Sequence, residues 1–521
     1  MSWRQEAEEL RLRHRWAEEC GGKEAVERHH AAGLLTVRER IAGVLDPGSF
    51  REVGKLTGRA TYVDGKVSKV VPAPYVMGIG KVESRPVAIG GEDFTIRGGS
   101  SFGSDRRKGG QGGFIEDLAY EYRIPLINLV DGSGGSVNTA KRKGHTVFPG
   151  AGQDGFERCV DLMSIVPVVS AVLGTAAGGP SARAIMSHWS VMVKNTSQIF
   201  AAGPPVVERA FGQKVTKNEL GGAAMAVDKA GTIDNAADSE QDCFGMIRRF
   251  LSYLPSNVWE LPPSLASEDR IDRCEDALLD IVPRSLRQPY NMRKLVELVV
   301  DQGSVFEIQP SFGRAVITSL ARMNGRVVGV VASNPMFGGI VDAKTARKQG
   351  HFVELCDCFH IPLIFFADVP GFLIGVESEA EAILREGVRA RYIGLQVSVP
   401  IFTVVVRKCY GMAGGNAVDR RGLNFKISWP SGEWGSLPLE GGVKAAYKRE
   451  IAAAPDPEQR EREIEQELRA LASPFRTAEA FAVEDLIDPR ETRPYLIDFI
   501  EACQPRMRTS LGPKYKAGVR P

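Results

Sequence analysis

The chain has 521 residues, of which 43% are hydrophobic and 25% are charged, and its formal net charge is +2. This length is too great for one core and predicts two to four domains, while the balanced charge argues against a nucleic-acid-binding protein. No apolar run approaches the roughly 20 residues of a membrane span. The mixed Glu and Arg residues at the start resemble neither a signal nor a transit peptide, and the cysteines form no CxxC pair. We therefore expect a cytoplasmic protein.

The predicted elements of the first half alternate between helices and strands, which indicates α/β layers. In chain order they are an amphipathic helix at 1–45, β-rich runs at 50–95, a helix at 117–122, a strand at 124–130, a helix–strand passage at 160–174, a strand at 185–193 and a helix at 204–211.

A Pro- and Trp-containing segment near 255–290 predicts a domain boundary. We place two domains at 1–258 and 259–521. The second half then repeats the order of elements, with strands at 315–332, a helix at 344–357, a strand at 361–367, a helix at 379–394, a strand at 401–406 and a charged helix at 457–472.

One sequence design occurs twice. Tyr122–Asp131 reads YRIPLINLVD and Phe359–Asp368 reads FHIPLIFFAD, at a constant offset (361 − 124 and 368 − 131 both give 237). A turn of small residues follows each copy: GTAAGGP at 174–180 and YGMAGGN at 410–416. This duplication predicts two like domains, each offering backbone amides that can stabilise an oxyanion without a catalytic side chain.

The usual catalytic signatures do not occur in the sequence. There is no GxSxG elbow, P-loop, zinc signature or GxGxxG at a strand end, and the seven histidines are scattered. We expect His360 to be buried or capping rather than a general base. Two glycine turns without an acid–base pair point to enolate chemistry, in which paired N–H groups hold a thioester oxygen.

Several motifs carry a family resemblance: ERHHAAGLLTVRERIAGVLDPGSF, EDFTIRGGS, RRFLSYLPSN, FEIQPSFGR, FADVPGFLIG, RKCYGMAGG, SWPSGEWG and LIDPRETR, spread from 27 to 493. With them the chain resembles the β (carboxyltransferase) subunit of biotin-dependent acyl-CoA carboxylases, the propionyl-CoA and methylcrotonyl-CoA group. The resemblance implies two tandem crotonase-like (ClpP/crotonase) β-β-α spiral domains. It also implies a homo-hexamer with active sites between the N-domain of one subunit and the C-domain of another.

The resemblance also implies roles for residues. An acyl-CoA would bind the N-domain, where the amides of Gly178 and Gly179 stabilise the thioester enolate. Biotin, carried by a partner, would dock on the C-domain, where the amides of Met412 and Ala413 hold its ureido oxygen. Further implied residues are Ala177, Gly134, Gly135, Lys141 and Arg142 for the acyl-CoA, and Val369, Pro370, Gly371, Phe372, Gly411 and Gly414 for biotin. No metal site is expected.

A biotin carboxylase and biotin carboxyl carrier (α) subunit is the implied partner, because the chain has neither a Met-Lys-Met biotinylation motif nor an ATP-grasp-like glycine loop. Three simpler interpretations stay open. The AAGG turn could serve tight helix–strand packing, DVPGF could be a plain strand-end turn, and Lys141 and Arg142 could lie on a solvated loop instead of pairing with CoA phosphates.

Some positions depart from the family pattern. They are an added Gly132, Ser136 in place of Ala, Met412 in place of a small residue, Gly415 in place of Asp, and Pro180, which removes an amide donor. These departures leave the acyl group undetermined. They also keep two alternatives to the carboxyltransferase open: an acyl-CoA decarboxylase that uses the same enolate, and a non-catalytic paralogue in a carboxylase assembly.

Overall fold

The computed structural model describes residues 2–100, 113–134, 141, 144–146, 156–418, 423 and 425–515. The chain divides into two compact units, Met1–Glu260 and Leu261–Pro521. The division falls in the Pro- and Trp-containing segment where the sequence places a domain boundary. Along the described parts of the chain, no helix is both long and apolar enough to cross a bilayer.

The first unit mixes helices with one large sheet. Its helices include α1 (Arg4–Glu18), α2 (Lys23–Ala31), α3 (Val37–Val44), α4 (Phe114–Tyr122), α5 (Phe156–Leu162), α6 (Gly179–Ile185), α7 (Pro204–Phe211), α8 (Lys217–Gly221) and α9 (Glu240–Tyr253). Its strands include β1 (Arg51–Val53), β2 (Gly58–Val63), β3 (Lys66–Pro72), β4 (Tyr75–Val82), β5 (Arg85–Glu92), β6 (Leu126–Val130), β7 (Val168–Val172), β8 (Thr175–Ala177), β9 (Trp189–Val193), β10 (Gln198–Phe200) and β11 (Asn235–Ala237).

The main sheet of the first unit has the order β1-β4-β5-β6-β7-β9-β11. Strands β1, β4 and β5 pair antiparallel, and the later neighbours pair parallel. Every residue of β6 and β7 is buried, as expected for parallel strands that are covered on both faces. Parallel β8 and β10 form a separate small sheet, and β2 and β3 form an exposed hairpin.

The second unit repeats this plan. Its helices include α10 (Ala277–Asp280), α11 (Met292–Val299), α12 (Ala343–Cys358), α13 (Val376–Ala380), α14 (Ile383–Gln396), α15 (Gly411–Val418), α16 (Leu439–Ala446), α17 (Lys448–Ala453), α18 (Pro457–Leu471), α19 (Pro474–Glu479), α20 (Thr492–Ala502) and α21 (Gln504–Arg508). Its strands include β12 (Phe306–Ile308), β13 (Val316–Met323), β14 (Arg326–Ser333), β15 (Leu363–Val369), β16 (Ile401–Tyr410), β17 (Phe425–Ser428), β18 (Glu433–Gly435) and β19 (Asp485–Leu486).

The sheet of the second unit has the order β12-β13-β14-β15-β16-β17-β19, with β18 beside β16. An antiparallel hairpin, β13–β14, is again followed by parallel strands. The two copies of the IPLI motif occupy the same place in the two sheets, since β6 and β15 each follow a hairpin and a helix. The two like domains predicted from the duplication are therefore observed.

Three predicted elements need correction. The strand predicted at 185–193 is β9 alone, because Ile185 still belongs to α6. The helix predicted at 1–45 is three helices, with breaks at Gly22, whose φ is 90°, and at Thr36, which caps α3 through a capping box. The helix predicted at 379–394 is interrupted at Ala382, which has a φ of 61°.

Candidate active site

The first glycine turn joins β8 to α6. Gly178 has φ 63° and ψ −125°, a conformation that side chains disfavour. A Cβ on Gly179 would meet nothing within 4 Å, and one on Gly178 would approach only the Gly134 Cα, at 3.9 Å. Tight packing therefore does not account for these two glycines. Neither N–H group donates to a described residue, so both amides are available to an incoming oxygen.

The segment that follows β6 is bound to this turn. The Ala177 N–H donates to the Gly132 carbonyl at 3.0 Å. A Cβ on Gly134 would lie 2.5 Å from the Ala177 carbonyl oxygen. The structure thus brings together Ala177, Gly178 and Gly134. Lys141 is exposed, and the expected residues Gly135 and Arg142 lie outside the described residues.

Two departures from the family pattern lie against each other. A Cβ on Gly132 would come within 3.0 Å of the Pro180 Cγ, so glycine at 132 makes room for proline at 180. Pro180 stands in the first turn of α6, where a missing N–H breaks no helical hydrogen bond. Pro180 therefore leaves the amides of Gly178 and Gly179 in place.

A cleft of about 670 Å³ lies between α2, the segment after β5 and the start of β8. It includes Thr175 of β8 and Asp131 after β6, and the Phe94 and His29 rings stack in its wall with centroids 6.1 Å apart. Its cationic side chains are Arg28, Arg97 and Lys217. The Lys217 Nζ donates to the Thr175 Oγ1 at 3.3 Å. Three cations in an open cleft suit a phosphorylated ligand.

The second glycine turn begins α15. Gly411 has a φ of 58°, Met412 is 49% exposed and Ala413 is buried. Because the first N–H groups of a helix have no partner within it, the amides of Met412 and Ala413 can serve an external oxygen. A Cβ on Gly414 would lie 2.8 Å from the Cys409 carbonyl carbon, so close contact with the end of β16 requires glycine there.

The DVPGF segment packs beside this turn. Val369 ends β15 and belongs to one buried cluster with Ala413 and Val341, against which Phe372 packs. The Val341 N–H donates to the Gly371 carbonyl at 3.0 Å. The structure thus brings together the expected biotin-binding residues Val369, Pro370, Gly371, Phe372, Gly411 and Gly414. A cavity of about 20 Å³ touches Val369 and Ala413.

The duplicated aspartates are bound to arginines. Asp131 accepts from Arg40 at 2.8 Å and Asp368 accepts from Arg407 at 3.0 Å, and all four side chains are buried. Although burial opposes its charge, the pKa of Arg40 is raised above its ordinary value by the carboxylates of Asp131 and Glu240. These aspartates are structural residues of the turns. His360 is buried as predicted.

Sequence reasoning missed the cations of the cleft and the buried ion pair between Glu92 and Arg183. Arg28 lies in the ERHHAAG motif, but Lys217 and Arg183 lie far along the chain from Arg28 and Glu92 and in none of the quoted motifs. The EDFTIRGGS motif contains Glu92 and Arg97, and it was the available signal. Among the described residues, no cluster of side chains is suited to hold a metal ion.

Comparison with known proteins gives a consistent result. A profile for the carboxyl transferase domain matches residues 28–516. The propionyl-CoA carboxylase carboxyltransferase subunit of Haloferax mediterranei is 34% identical over 504 residues, which cover 95% of this chain and 96% of that protein. The methylmalonyl-CoA decarboxylase subunit alpha of Veillonella parvula is 31% identical over 502 residues, covering 96% of each.

A similar solved structure is that of transcarboxylase 12S, described as a hexamer assembly with methylmalonyl-coenzyme A and methylmalonic acid bound. It superposes with a TM-score of 0.90 at 31% identity, and the match covers 100% of this chain and 99% of that one.

Proposed function

The chain belongs to the carboxyl transferase domain family, and from this membership we propose that it is the carboxyltransferase subunit of an acyl-CoA carboxylase. It moves a carboxyl group from carboxybiotin on a partner subunit to the α carbon, or the vinylogous γ carbon, of an acyl-CoA. The family and enzyme class inferred from the sequence are confirmed. The predicted fold of two tandem crotonase-like domains is confirmed as well.

One observation carries the assignment of the N-domain site: the N–H groups of two successive glycines have no hydrogen-bond partner among the described residues, and neither glycine is needed for close packing. We assign Gly178 and Gly179 to the thioester oxygen, on which negative charge develops as the enolate forms. Paired N–H groups positioned in advance stabilise such a charge. Ala177 and Gly134 border the position of the thioester.

We propose that the cleft at the start of β8 belongs to the same site. We place the phosphates of coenzyme A near Arg28, Arg97 and Lys217, since charge-assisted hydrogen bonds favour such anions. Lys141 and Arg142 stay proposed as further phosphate contacts.

We assign the second glycine turn to the biotin ring. Biotin supplies the carboxyl group and is carried by the partner. Met412 and Ala413 present amides at a helix start, and Val369, Pro370, Gly371, Phe372, Gly411 and Gly414 form the adjoining surface. This chain's part is to hold the ureido oxygen with backbone N–H groups and to exclude water with the apolar cluster around Val369.

We propose a homo-hexamer as the assembly, because transcarboxylase 12S is described as one. The proposed partner is a biotin carboxylase and biotin carboxyl carrier subunit, because relatives are named biotin-dependent carboxylases.

A decarboxylase is the second candidate, and the resemblance to the Veillonella parvula subunit favours it.

The test is a carboxylation assay with the co-purified biotin-bearing partner, ATP and labelled bicarbonate. Acetyl-, propionyl-, 3-methylcrotonyl- and long-chain acyl-CoA are the substrates. Label fixed on one of them supports the carboxyltransferase and identifies the acyl group. No fixation, together with CO₂ release from malonyl- or methylmalonyl-CoA, supports the decarboxylase.

A further inference from the structure

Three backbone segments meet around the first glycine turn. They are 98–100 after β5, 131–134 after β6, and 177–180 between β8 and α6. The Ser133 N–H donates to the Gly98 carbonyl at 3.0 Å, and the Ser100 Oγ donates to the Gly134 carbonyl at 2.8 Å. Because the Ala177 N–H also donates to the Gly132 carbonyl, hydrogen bonds join the second segment to each of the other two.

Glu92, the last residue of β5, lies at the junction of all three. Its side chain is 1% exposed. A Cβ on Gly99 would lie 3.0 Å from the Glu92 Cβ, and one on Gly132 would lie 3.1 Å from its Cγ. Glycine at both positions thus lets the first two segments close over this side chain.

Both carboxylate oxygens of Glu92 are used. Oε2 accepts the Asp131 N–H at 3.2 Å, which fixes the start of the 131–134 segment. Oε1 accepts from the Arg183 Nη2. Arg183 is buried and projects from α6, the helix that Gly178 caps.

The second unit repeats half of this arrangement. Ser333 ends β14 as Glu92 ends β5, and its Oγ accepts the Asp368 N–H at 3.0 Å. The acceptor for the aspartate amide is therefore common to both units. The first unit has a second bond of this kind: Glu92 also accepts from Arg183 in α6, the helix that follows the Gly178–Gly179 turn.

We propose that Glu92 is a positioning residue for the carboxyl-transfer reaction: through Arg183 and the Asp131 amide, it sets where the Gly178 and Gly179 N–H groups point. This inference rests on the proposed function of those amides. Its physical basis is that oxyanion donors act only when held in place before reaction, and that a small misplacement lowers the rate strongly.

The test compares Glu92→Gln with the wild-type protein. Glutamine keeps the volume and can still accept the Asp131 N–H, but it loses the ion pair with Arg183. We expect kcat to fall about tenfold or more, with KM for the acyl-CoA changed by less than about twofold, because ground-state binding is not the interaction removed.

The direct readout is the carbonyl stretching frequency of a bound acyl-CoA labelled with ¹³C at the thioester, measured by difference Raman spectroscopy. In the wild-type protein the two amides lower this frequency, and in Glu92→Gln it returns towards the value of the free thioester. Asp234→Asn is the control, because Asp234 is also a buried carboxylate of the first unit but accepts from Ser190 in β9. Its carbonyl frequency should equal that of the wild-type protein.

The double variant Glu92→Gln with Arg183→Met separates positioning from the burial of an unpaired arginine, and it serves in place of Glu92→Gln if that variant does not fold. A carbonyl frequency near the free value in the double variant supports the proposal. A wild-type frequency and kcat in the double variant overturn it, since Glu92 would then act only by neutralising Arg183. A wild-type protein that shifts the frequency but transfers no carboxyl group contradicts the proposed function and leaves the role of Glu92 measurable.

Discussion

At the scale of single residues, the N-domain site depends on the backbone of two glycines. Gly178 combines a positive φ with an amide that has no partner among the described residues. Its replacement has two effects: it strains the backbone, and it moves the amide that faces the thioester.

We expect Gly178→Ala to lower kcat by about tenfold or more, because the donor shifts from the position at which charge develops. Gly212→Ala is the matched control, since Gly212 has φ 70° and open space around its Cβ but ends α7. Gly212→Ala should lose about 1 kcal/mol of stability, because Gly212 (φ 70°, ψ 6°) lies in the left-handed helical region. Gly178→Ala should lose about 1–3 kcal/mol, because its ψ of −125° lies outside that region. Steady-state kinetics would measure kcat of both variants, and thermal melts would measure their stability. Equal activity losses in the two variants would show that strain alone is responsible.

The cleft cations give a second prediction at this scale. Arg28→Ala and Lys217→Ala should each raise KM for the acyl-CoA about fivefold, with kcat retained, since each removes about 1 kcal/mol of phosphate attraction. Lys23→Ala is the control, because Lys23 shares α2 with Arg28 but pairs with Glu27 outside the cleft. KM values for acyl-CoA and for its 3′-dephospho form, measured at low and high salt, test the assignment. An unchanged KM in both cleft variants would show that the coenzyme A phosphates do not bind in this cleft.

At the scale of elements, the first turn of α15 supplies the amides that we propose to bind biotin. Met412 is exposed in that turn. Proline is tolerated there, because the N–H groups of a first helical turn make no hydrogen bond within the helix and proline lacks only that N–H. Met412→Pro should therefore abolish carboxyl transfer while leaving acyl-CoA binding intact. Met412→Leu keeps the amide and should stay active. Transfer assays and acyl-CoA titration would decide, and an active Met412→Pro enzyme would exclude this amide from the reaction.

Most helices and strands were predictable, because the spacing of apolar residues and the turn-forming residues can be read from a short stretch of sequence. The helices α12 and α18 and the strand β15 agree with prediction within one or two residues. The failures lie where local signals conflict with backbone geometry, as at Ala382 with its positive φ. The break between α6 and β9 was hidden because the segment AIMSHWSVMV (184–193) contains no Gly or Pro to mark it.

The candidate site was predictable where the backbone carries the chemistry. Gly178 and Ala413 lie in turns whose small residues are legible in the sequence. The Glu92–Arg183 and Arg40–Asp131 contacts could not be predicted from the sequence, since each joins residues 91 positions apart (183 − 92 and 131 − 40). Such pairs become neighbours only when parallel strands bring their ends together.

At the scale of the whole molecule, one buried lysine makes stability depend on pH. Lys348 in α12 is 1% exposed, and its Nζ donates to the Val316 carbonyl at 2.8 Å. Burial lowers the pKa of Lys348 to about 7, whereas a lysine in the unfolded chain has a pKa of about 10.4. Between these values the unfolded chain binds more protons, so this lysine makes the free energy of unfolding rise with pH.

We therefore expect the wild-type protein to gain stability relative to Lys348→Met by about 1 kcal/mol per pH unit from pH 7 to 10. Below pH 7 the lysine is protonated in both states, and the difference between the two proteins should be constant. Denaturant titrations of both proteins across this range measure the difference. Parallel stability curves above pH 7 would show that Lys348 keeps an ordinary pKa in the folded protein.

We propose that this chain transfers a carboxyl group between an acyl-CoA and biotin with two sets of backbone amides. The most direct test uses the chain alone, without partner or ATP, and measures loss of the carboxyl group from methylmalonyl- and malonyl-CoA with and without free biotin. We predict a loss that requires biotin, falls about tenfold or more in Gly178→Ala and disappears in Met412→Pro. A loss that proceeds equally without biotin and survives Met412→Pro would contradict carboxyl transfer and establish a decarboxylase.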